Sequence, residues 1–169
     1  MKIAVIYFSR TGCAAKLADR IRTTLRPLGE IEVSRIEPVR EHGYWGWLVR
    51  SFLPGWRAPI RPVSSELEGY DLVCLGFPKW TLSCPPLNQY IREMRLAPGE
   101  NVGLFMSFGG FDAKRYLRGI ANKVTIKGAR VVATAAIRRR TIQDASCQPA
   151  IDDFCRRLLR HGDAETSEP

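Results

Sequence analysis

The sequence predicts one α/β domain in which a parallel sheet is covered by helices on both faces. Short apolar runs rich in Val, Ile and aromatic residues alternate with amphipathic helical patterns along the chain, which is typical of such sheets. The first run, residues 2 to 8, is apolar at almost every position, as expected for a strand buried on both faces. The chain has 169 residues, 45 % of them hydrophobic, which suffices for one core of ordinary size.

The other elements follow in order. A helix is predicted from Gly12 to about Leu25, with apolar residues at helical spacing, and Pro27 and Gly29 end it. Further strands are predicted at 30–36, 70–77, 101–108 and 129–137. Helices are predicted at 85–96, where Pro85 and Pro86 suit a first turn, after the fourth strand to about residue 122, and from Pro149.

The chain divides into a domain of residues 1–161 and an acidic tail of residues 162–169. The tail holds Asp163, Glu165 and Glu168 and no basic residue, so we expect it to be disordered. The whole chain has 26 Lys and Arg against 17 Asp and Glu, a net charge of +9. This charge favours anionic partners without choosing among acidic proteins, phosphorylated ligands, nucleic acid and anionic lipid.

The five cysteines indicate a reducing compartment. They show no CxxC or His-rich spacing, so we predict free thiols and no zinc, iron–sulfur or other metal site. We find no signal peptide and no apolar run long enough to span a membrane. The sequence therefore predicts a cytoplasmic protein.

The loop after the first strand has the residues of a phosphate site. Residues 9 to 14 read Ser-Arg-Thr-Gly-Cys-Ala, and a helix follows at once. Gly12 permits close backbone approach, and the helix N-terminus directs free N–H groups and its positive dipole end at the same place. Ser9 and Thr11 add hydroxyls and Arg10 adds charge. A plain hydroxyl-capped helix start is the alternative interpretation.

Two further loops follow the third and fourth strands. The third strand leads into "GFPKWTLSCPP", in which Trp80 falls where the crevice of a parallel α/β sheet lies and could stack on a flat ring. The fourth leads into "SFGGFD", whose glycines permit close passage of a ligand plane. The alternatives are a half-buried Trp and an ordinary Gly-rich turn.

Together, these three stretches resemble flavodoxins. "IAVIYFSRTGCAAKLA" is similar to their phosphate loop, "YDLVCLGFPKWTLSCPPLNQYI" to their Gly-x-Pro-x-Trp turn, and "NVGLFMSFGG" to their third flavin loop. The resemblance covers about residues 1 to 160. It implies a flavodoxin-like three-layer sandwich, a five-stranded parallel sheet in the order 2-1-3-4-5, and bound flavin mononucleotide, FMN. By resemblance the cofactor-binding residues are Ser9, Arg10, Thr11, Gly12, Cys13, Ala14, Pro78, Lys79, Trp80, Thr81, Ser107, Phe108, Gly109 and Gly110.

The resemblance implies an electron-transfer protein that shuttles electrons between partner proteins. The positive net charge suits an acidic redox partner. The sequence contains no nucleic-acid-binding motif, so we do not predict nucleic acid as a partner. The alternative is an FMN-dependent oxidoreductase that takes hydride from NAD(P)H and reduces a quinone-type acceptor. A second alternative is a flavin-free interaction module, because Ala14 stands where the family loop has its final hydroxyl. No catalytic constellation is visible, so the chemistry is assigned to the cofactor.

Three features of the sequence are unusual for a flavodoxin-like protein. Lys79 lies in the ring-contacting loop, where its ammonium would favour a reduced, anionic flavin. In the Trp-rich segment, residues 44 to 56, we expect a core face on the second helix made by Trp45, Leu48, Val49, Phe52 and Leu53. Less favoured is a lid over the flavin or a dimer contact, and least favoured a membrane-surface patch, formed by Tyr44, Trp47 and Trp56 with Arg50, Arg57 and Arg61. The run 138–140, Arg-Arg-Arg, closes the fifth strand and is interpreted first as a solvated surface, and second as a site for an acidic partner or nicotinamide-cofactor phosphates.

Overall fold

A computed structural model of the chain describes residues 1–144 and 146–162. Its centre is a sheet of five parallel strands: β1 Lys2–Tyr7, β2 Glu30–Arg35, β3 Leu72–Pro78, β4 Asn101–Phe108 and β5 Arg130–Arg138. The strand order is β2-β1-β3-β4-β5, with every neighbouring pair parallel. The predicted fold class and strand order are therefore confirmed.

Within the described residues, six α-helices connect or follow the strands. They are α1 Cys13–Leu25, α2 Tyr44–Ser51, α3 Pro85–Glu93, α4 Ala113–Ile126, α5 Arg139–Gln143 and α6 Gln148–Gly162. None of these described helices is both long and apolar enough to cross a membrane. The tail predicted for 162–169 lies, apart from Gly162, outside the described residues.

The core has two parts, one on each face of the sheet. On one face, α1 and α6 bury residues such as Leu17, Ile21 and Phe154 against β1, β3, β4 and β5. On the other, α3 and α4 bury residues such as Leu87 and Ile120 against β1, β3 and β4. Both arrangements follow from the apolar stripes of the helices, because each stripe is buried only when its helix packs against the sheet.

Gly76, in the central strand β3, is required by a close approach. A Cβ atom built at this position would lie 2.1 Å from Cζ of Phe105 on β4. The Phe105 ring is fully buried and meets the Phe154 ring edge-on, with centroids 6.2 Å apart. The Phe105 ring occupies the space that a side chain at position 76 would need. Only a glycine at this position therefore leaves room for the ring.

One prediction about the second helix is wrong. Trp45, Val49, Phe52 and Leu53, expected in the core, are exposed, and Leu48 is only half-buried. The inward positions of α2 are Trp47 and Ser51. This helix carries apolar residues on more than one side, so periodicity alone does not reveal which side faces inward.

The five thiols lie among buried side chains. Burial raises the pKa of Cys84 and of Cys155 from 9.0 to about 12, so these thiols stay protonated and hidden in the folded protein. We expect no reaction with an aromatic disulfide reagent at neutral pH until denaturant is added, when five thiols should be released. Rapid reaction of the native protein would contradict this packing.

The same pKa shifts predict a pH dependence of stability. The thiols of the unfolded chain ionise from about pH 9, whereas those of Cys84 and Cys155 ionise in the folded protein only near pH 12. The folded state then binds more protons, so the free energy of unfolding should fall as the pH rises through this window. Urea titrations at several alkaline pH values would measure the decline.

Candidate functional site

A pocket of about 760 Å³ lies where the strands reach their carboxyl ends. Its wall is built by the loops after β1, β3 and β4, together with α2 and the first residue of α5. The lining residues are Arg10, Thr11, Tyr44, Leu48, Phe52, Pro78, Lys79, Trp80, Thr81, Leu82, Gly109, Gly110, Phe111, Asp112 and Arg139. All three loops selected from the sequence contribute, as expected for the crevice at the switch point of a parallel sheet.

The loop after β1 presents a helix N-terminus with unused donors. Gly12 adopts φ +82°, a left-handed conformation that favours glycine, and α1 starts at the next residue without a side-chain cap. The first turn of α1 holds no acidic residue. The Ser9 hydroxyl is buried and has no hydrogen-bond partner among the described residues. This loop therefore offers the N–H groups and the hydroxyl that an anion would use.

Arg10 reaches from this loop into the aromatic part of the pocket. Its guanidinium carbon lies 5.5 Å from the ring centroid of Tyr44 and 5.9 Å from that of Trp80. Both distances are in the range of cation–π contacts. The positive charge predicted for the phosphate loop therefore lies beside the Tyr44 and Trp80 rings.

The start of the loop after β3 is joined to β4 by the backbone. The Lys79 N–H donates to the carbonyl of Ser107 in β4 at 2.7 Å, and the Phe8 N–H, just after β1, donates to the carbonyl of Gly76 in β3 at 2.9 Å. These bonds continue the sheet pattern past the ends of β3 and β1, and the first one fixes Lys79 and Trp80 relative to β4. The buried indole N–H of Trp80 and the buried Ser107 hydroxyl have no partner among the described residues.

Cations dominate the polar lining of the pocket. Lys79 is half-buried, with its ammonium 5.6 Å from the Tyr116 ring and 6.0 Å from the Phe111 ring. Arg139 packs against Gly109, and its Nε–H is buried without a partner among the described residues. Asp112 is the one acidic residue among the lining residues. Tyr116 is half-buried, and it stays protonated because burial of its hydroxyl raises the pKa well above 10. The field in the pocket favours an anionic ligand.

Helix α2 forms a wall that the sequence did not predict as part of the site. Tyr44, Leu48 and Phe52 face the pocket. The helix is held in place by its last residue, since the Ser51 carbonyl accepts the N–H groups of Leu82 and Ser83 at 3.0 and 2.9 Å, and the Ser51 and Thr81 hydroxyls lie 2.6 Å apart. Behind it, Trp47 meets Phe8 and Trp80 edge-on, at centroid distances of 6.3 and 6.2 Å.

The predicted cofactor residues divide into two groups. Those that line the pocket are Arg10, Thr11, Pro78, Lys79, Trp80, Thr81, Gly109 and Gly110. Those that lie behind or beside it are Ser9, Gly12, Cys13, Ala14, Ser107 and Phe108, of which Cys13 belongs to the core packed against α1. The lining residues outside the predicted set are Tyr44, Leu48, Phe52, Leu82, Phe111, Asp112 and Arg139.

Two signals in the sequence pointed to part of this second set. Tyr44 is one of the residues of the Trp-rich segment for which a lid is an alternative interpretation. Arg139 belongs to the basic run, of which Arg138 lies over the Phe108 ring at 5.3 Å and Arg140 is exposed beside Asp144. For Arg139 the interpretation as a solvated surface is wrong, because the turn into α5 directs it into the pocket. No group of three metal-ligating side chains lies together within the described part of the chain.

Sheet order, helix placement and the pocket at the carboxyl edge define a protein with the flavodoxin-like fold. Comparison with solved structures agrees. A flavodoxin of Streptococcus pneumoniae matches with a TM-score of 0.63 at 13 % identity, covering 95 % of this chain and 99 % of that one. Flavodoxin 2 of Bacillus cereus matches with a TM-score of 0.66 at 18 % identity and the same coverage, 95 % and 99 %.

A third solved structure is a flavoprotein of Lactobacillus acidophilus in complex with FMN. It matches with a TM-score of 0.55 at 16 % identity, over 85 % of this chain and 97 % of that one. An uncharacterized protein of Archaeoglobus fulgidus is 28 % identical over 141 residues, which is 82 % of this chain and 86 % of that protein. No protein-family model matches the chain.

Proposed function

We propose that the pocket binds FMN and that the protein is a cytoplasmic electron-transfer flavoprotein. The proposal rests on one observation: three loops, predicted separately from the sequence, surround a single cationic and aromatic pocket. Two buried hydroxyls without partners among the described residues, those of Ser9 and Ser107, belong to two of these loops. Buried hydroxyls normally have a partner, and a phosphorylated ligand with a polar ring supplies partners.

The residues fit the two halves of the group. Thr11, the N–H groups that follow Gly12, and the Ser9 hydroxyl would hold the phosphate at the start of α1. Trp80 and the backbone of Gly109 and Gly110 would hold the ring. When bound, FMN supplies electron transfer at its ring system, and the protein provides position and charge. The match to a flavoprotein in complex with FMN supports this choice of ligand.

A carrier role fits the surroundings of the pocket. Its rim includes exposed Phe111, and Arg10, Lys79 and Arg139 make its field positive. Such a rim would attract an acidic redox partner and accelerate the encounter.

One observation favours the oxidoreductase alternative. Arg139 faces the pocket, and its Nε–H is buried without a partner among the described residues. Such a donor is suited to bind a second anionic molecule, for example a nicotinamide nucleotide. In the second alternative, the flavin-free interaction module, Ala14 would mark a lost phosphate site, because it is buried and offers no hydroxyl.

Reconstitution tests the proposal. The purified protein is mixed with FMN, passed through a desalting column and examined by absorption spectroscopy. A retained flavin spectrum, at about one flavin per chain, is expected. A colourless protein would overturn both redox functions and favour the interaction module.

The reconstituted protein is then given NAD(P)H and a quinone with no other protein present. Absence of steady oxidation is expected for a carrier, whereas sustained turnover would favour the oxidoreductase. Riboflavin, which lacks the phosphate, is the matched ligand control, and we expect it to be lost on the column.

Lys79→Gln should lower the reduction potential of the bound flavin. Its half-buried ammonium lies at the pocket wall, so neutralising it removes stabilisation of the reduced anion. A loss of about 1.4 kcal/mol corresponds to about 30 mV for a two-electron couple. Redox titration against Lys127→Gln, a substitution at the far end of α4, provides the measurement and the control. Equal potentials would show that the Lys79 charge does not act on the flavin.

A further inference from the structure

The outer side of α2 and of the turns after it carries an unpartnered apolar stripe. Its members, Trp45, Val49, Phe52, Leu53 and Trp56, follow one another at helical spacing and are between 39 % and 74 % exposed. We call them the outer stripe. Two more apolar side chains, Leu82 and Phe111, project from the neighbouring pocket rim and are 59 % and 88 % exposed. A group of exposed apolar side chains of this size marks a binding face.

The protein cannot hide this stripe by turning the helix. Trp47 on the opposite side of α2 is buried against Phe8 and Trp80. The Ser51 carbonyl holds two backbone N–H groups, the Ser83 hydroxyl donates to the Leu53 carbonyl at 3.0 Å, and the Asn88 amide donates to the Trp56 carbonyl at 2.8 Å. The inner side is fixed by these bonds, so the outer stripe faces outward.

Arginines accompany the stripe. Arg50 lies over the Trp56 ring, with its guanidinium carbon 5.4 Å from the centroid, and Arg57, the next residue, is exposed. Glu41 is the one acidic residue from position 40 to position 57. Two copies meeting through this face would bring these positive charges together, which disfavours self-association and favours an anionic surface.

We infer that the outer stripe binds the surface of an anionic lipid bilayer, with its apolar side chains in the interface and its arginines at the headgroups. Trp at both ends and Phe and Leu between them are the residues that peripheral helices insert at this depth. Apart from Phe52, which also lines the pocket, the stripe projects from the surface instead of lining a groove. A protein partner would need a matching recess for each projecting side chain, whereas a bilayer accommodates them without one.

Membrane binding would orient the pocket. Leu82 and Phe111 belong both to the rim and to the exposed apolar surface, so the mouth of the pocket would lie at the bilayer. This inference goes beyond the proposed function and does not depend on it, because the stripe is formed by the protein alone.

Vesicle sedimentation tests the inference. The full chain is mixed with large vesicles of phosphatidylcholine containing phosphatidylglycerol, and in parallel with vesicles of phosphatidylcholine alone. Binding to the anionic vesicles, reduced but not abolished by added salt, is expected. The tryptophan fluorescence should shift to shorter wavelength on binding, and the shift should be smaller in Trp45→Phe, which leaves Trp56 to report.

Substitutions separate the stripe from general positive charge. Trp45→Ser combined with Leu53→Ser leaves the pocket lining and net charge unchanged, and we expect it to weaken binding at least tenfold. The matched control is Leu28→Ser with Ile126→Ser, two exposed apolar residues at the opposite edge of the sheet, which should bind like the unmodified protein. Equal thermal midpoints for the two double variants exclude loss of folding as the cause.

Three results would overturn the inference. The first is failure to bind anionic vesicles. The second is equal binding of the stripe variant and the control, which would mean that net charge alone attaches the protein. The third is a concentration-dependent dimer, measured by light scattering, that the stripe variant abolishes, since the stripe would then serve a second copy. Flavin retention by the stripe variant, measured in the same samples, keeps this outcome separate from the fate of the proposed function.

Discussion

Ser9→Ala is expected to weaken FMN binding by between about tenfold and a hundredfold while leaving the flavin-free protein at least as stable as before. The Ser9 hydroxyl is buried in the loop before α1 and has no partner in the described protein. A hydrogen bond to a charged phosphate is worth about 1.5–3 kcal/mol, which sets the loss of affinity. Replacing a buried, unbonded hydroxyl with a hydrogen removes an unsatisfied polar group from the folded protein, so we expect no loss of stability.

Ser83→Ala is the crossed control for this substitution. Its hydroxyl is equally buried but donates to the Leu53 carbonyl at 3.0 Å. We expect a loss of about 1 kcal/mol in the free energy of unfolding and unchanged FMN affinity. Fluorescence titration with FMN and urea unfolding measure the two quantities for each variant. If both variants lost stability and neither lost affinity, the Ser9 hydroxyl would have no role in holding the ligand.

Gly76→Ala should destabilise the fold by about 3 kcal/mol. The new methyl carbon would fall 2.1 Å from Cζ of Phe105, and that ring is held by Phe154 and a fully buried environment. Strand β3 or the Phe105 ring must therefore shift. Overpacking that forces such shifts destabilises the folded protein. The midpoint of urea denaturation provides the measurement.

The same change at Gly119 should act in the opposite direction. Gly119 is exposed in α4, and a Cβ built there meets nothing within 4 Å. Alanine there should stabilise the protein by about 0.5–1 kcal/mol through helix propensity. A Gly76→Ala midpoint equal to that of the unmodified protein would show that β3 and β4 can separate at little cost.

The fold could be predicted because its central strands are buried on both faces. An unbroken apolar run such as that of β3 is a strong signal, and parallel topology then places the loops after β1, β3 and β4 at one edge. The site residues in those loops follow from the same geometry. For this reason Arg10 and Trp80 could be selected from the sequence, whereas Lys79 was added by the resemblance to flavodoxins.

The rest of the site depends on contacts that no local pattern records. Helix α2 has apolar residues around most of its circumference, and only the bonds from Ser51 to the β3–α3 loop decide that Trp47 faces inward. Likewise, Arg139 enters the pocket because a short helix begins directly after β5, a turn that a run of three arginines does not signal. Both features arise from tertiary packing, which overrides local preference.

The attachment of Ser51 to Leu82 and Ser83 has a thermodynamic consequence. Through it, the helix that carries the outer stripe and the loop that carries Trp80 are parts of one hydrogen-bonded unit. Any coupling between the proposed FMN binding and the proposed vesicle binding through this unit would be reciprocal. The factor by which bound FMN changed the affinity for vesicles would equal the factor by which vesicles changed the affinity for FMN, so either titration would measure it.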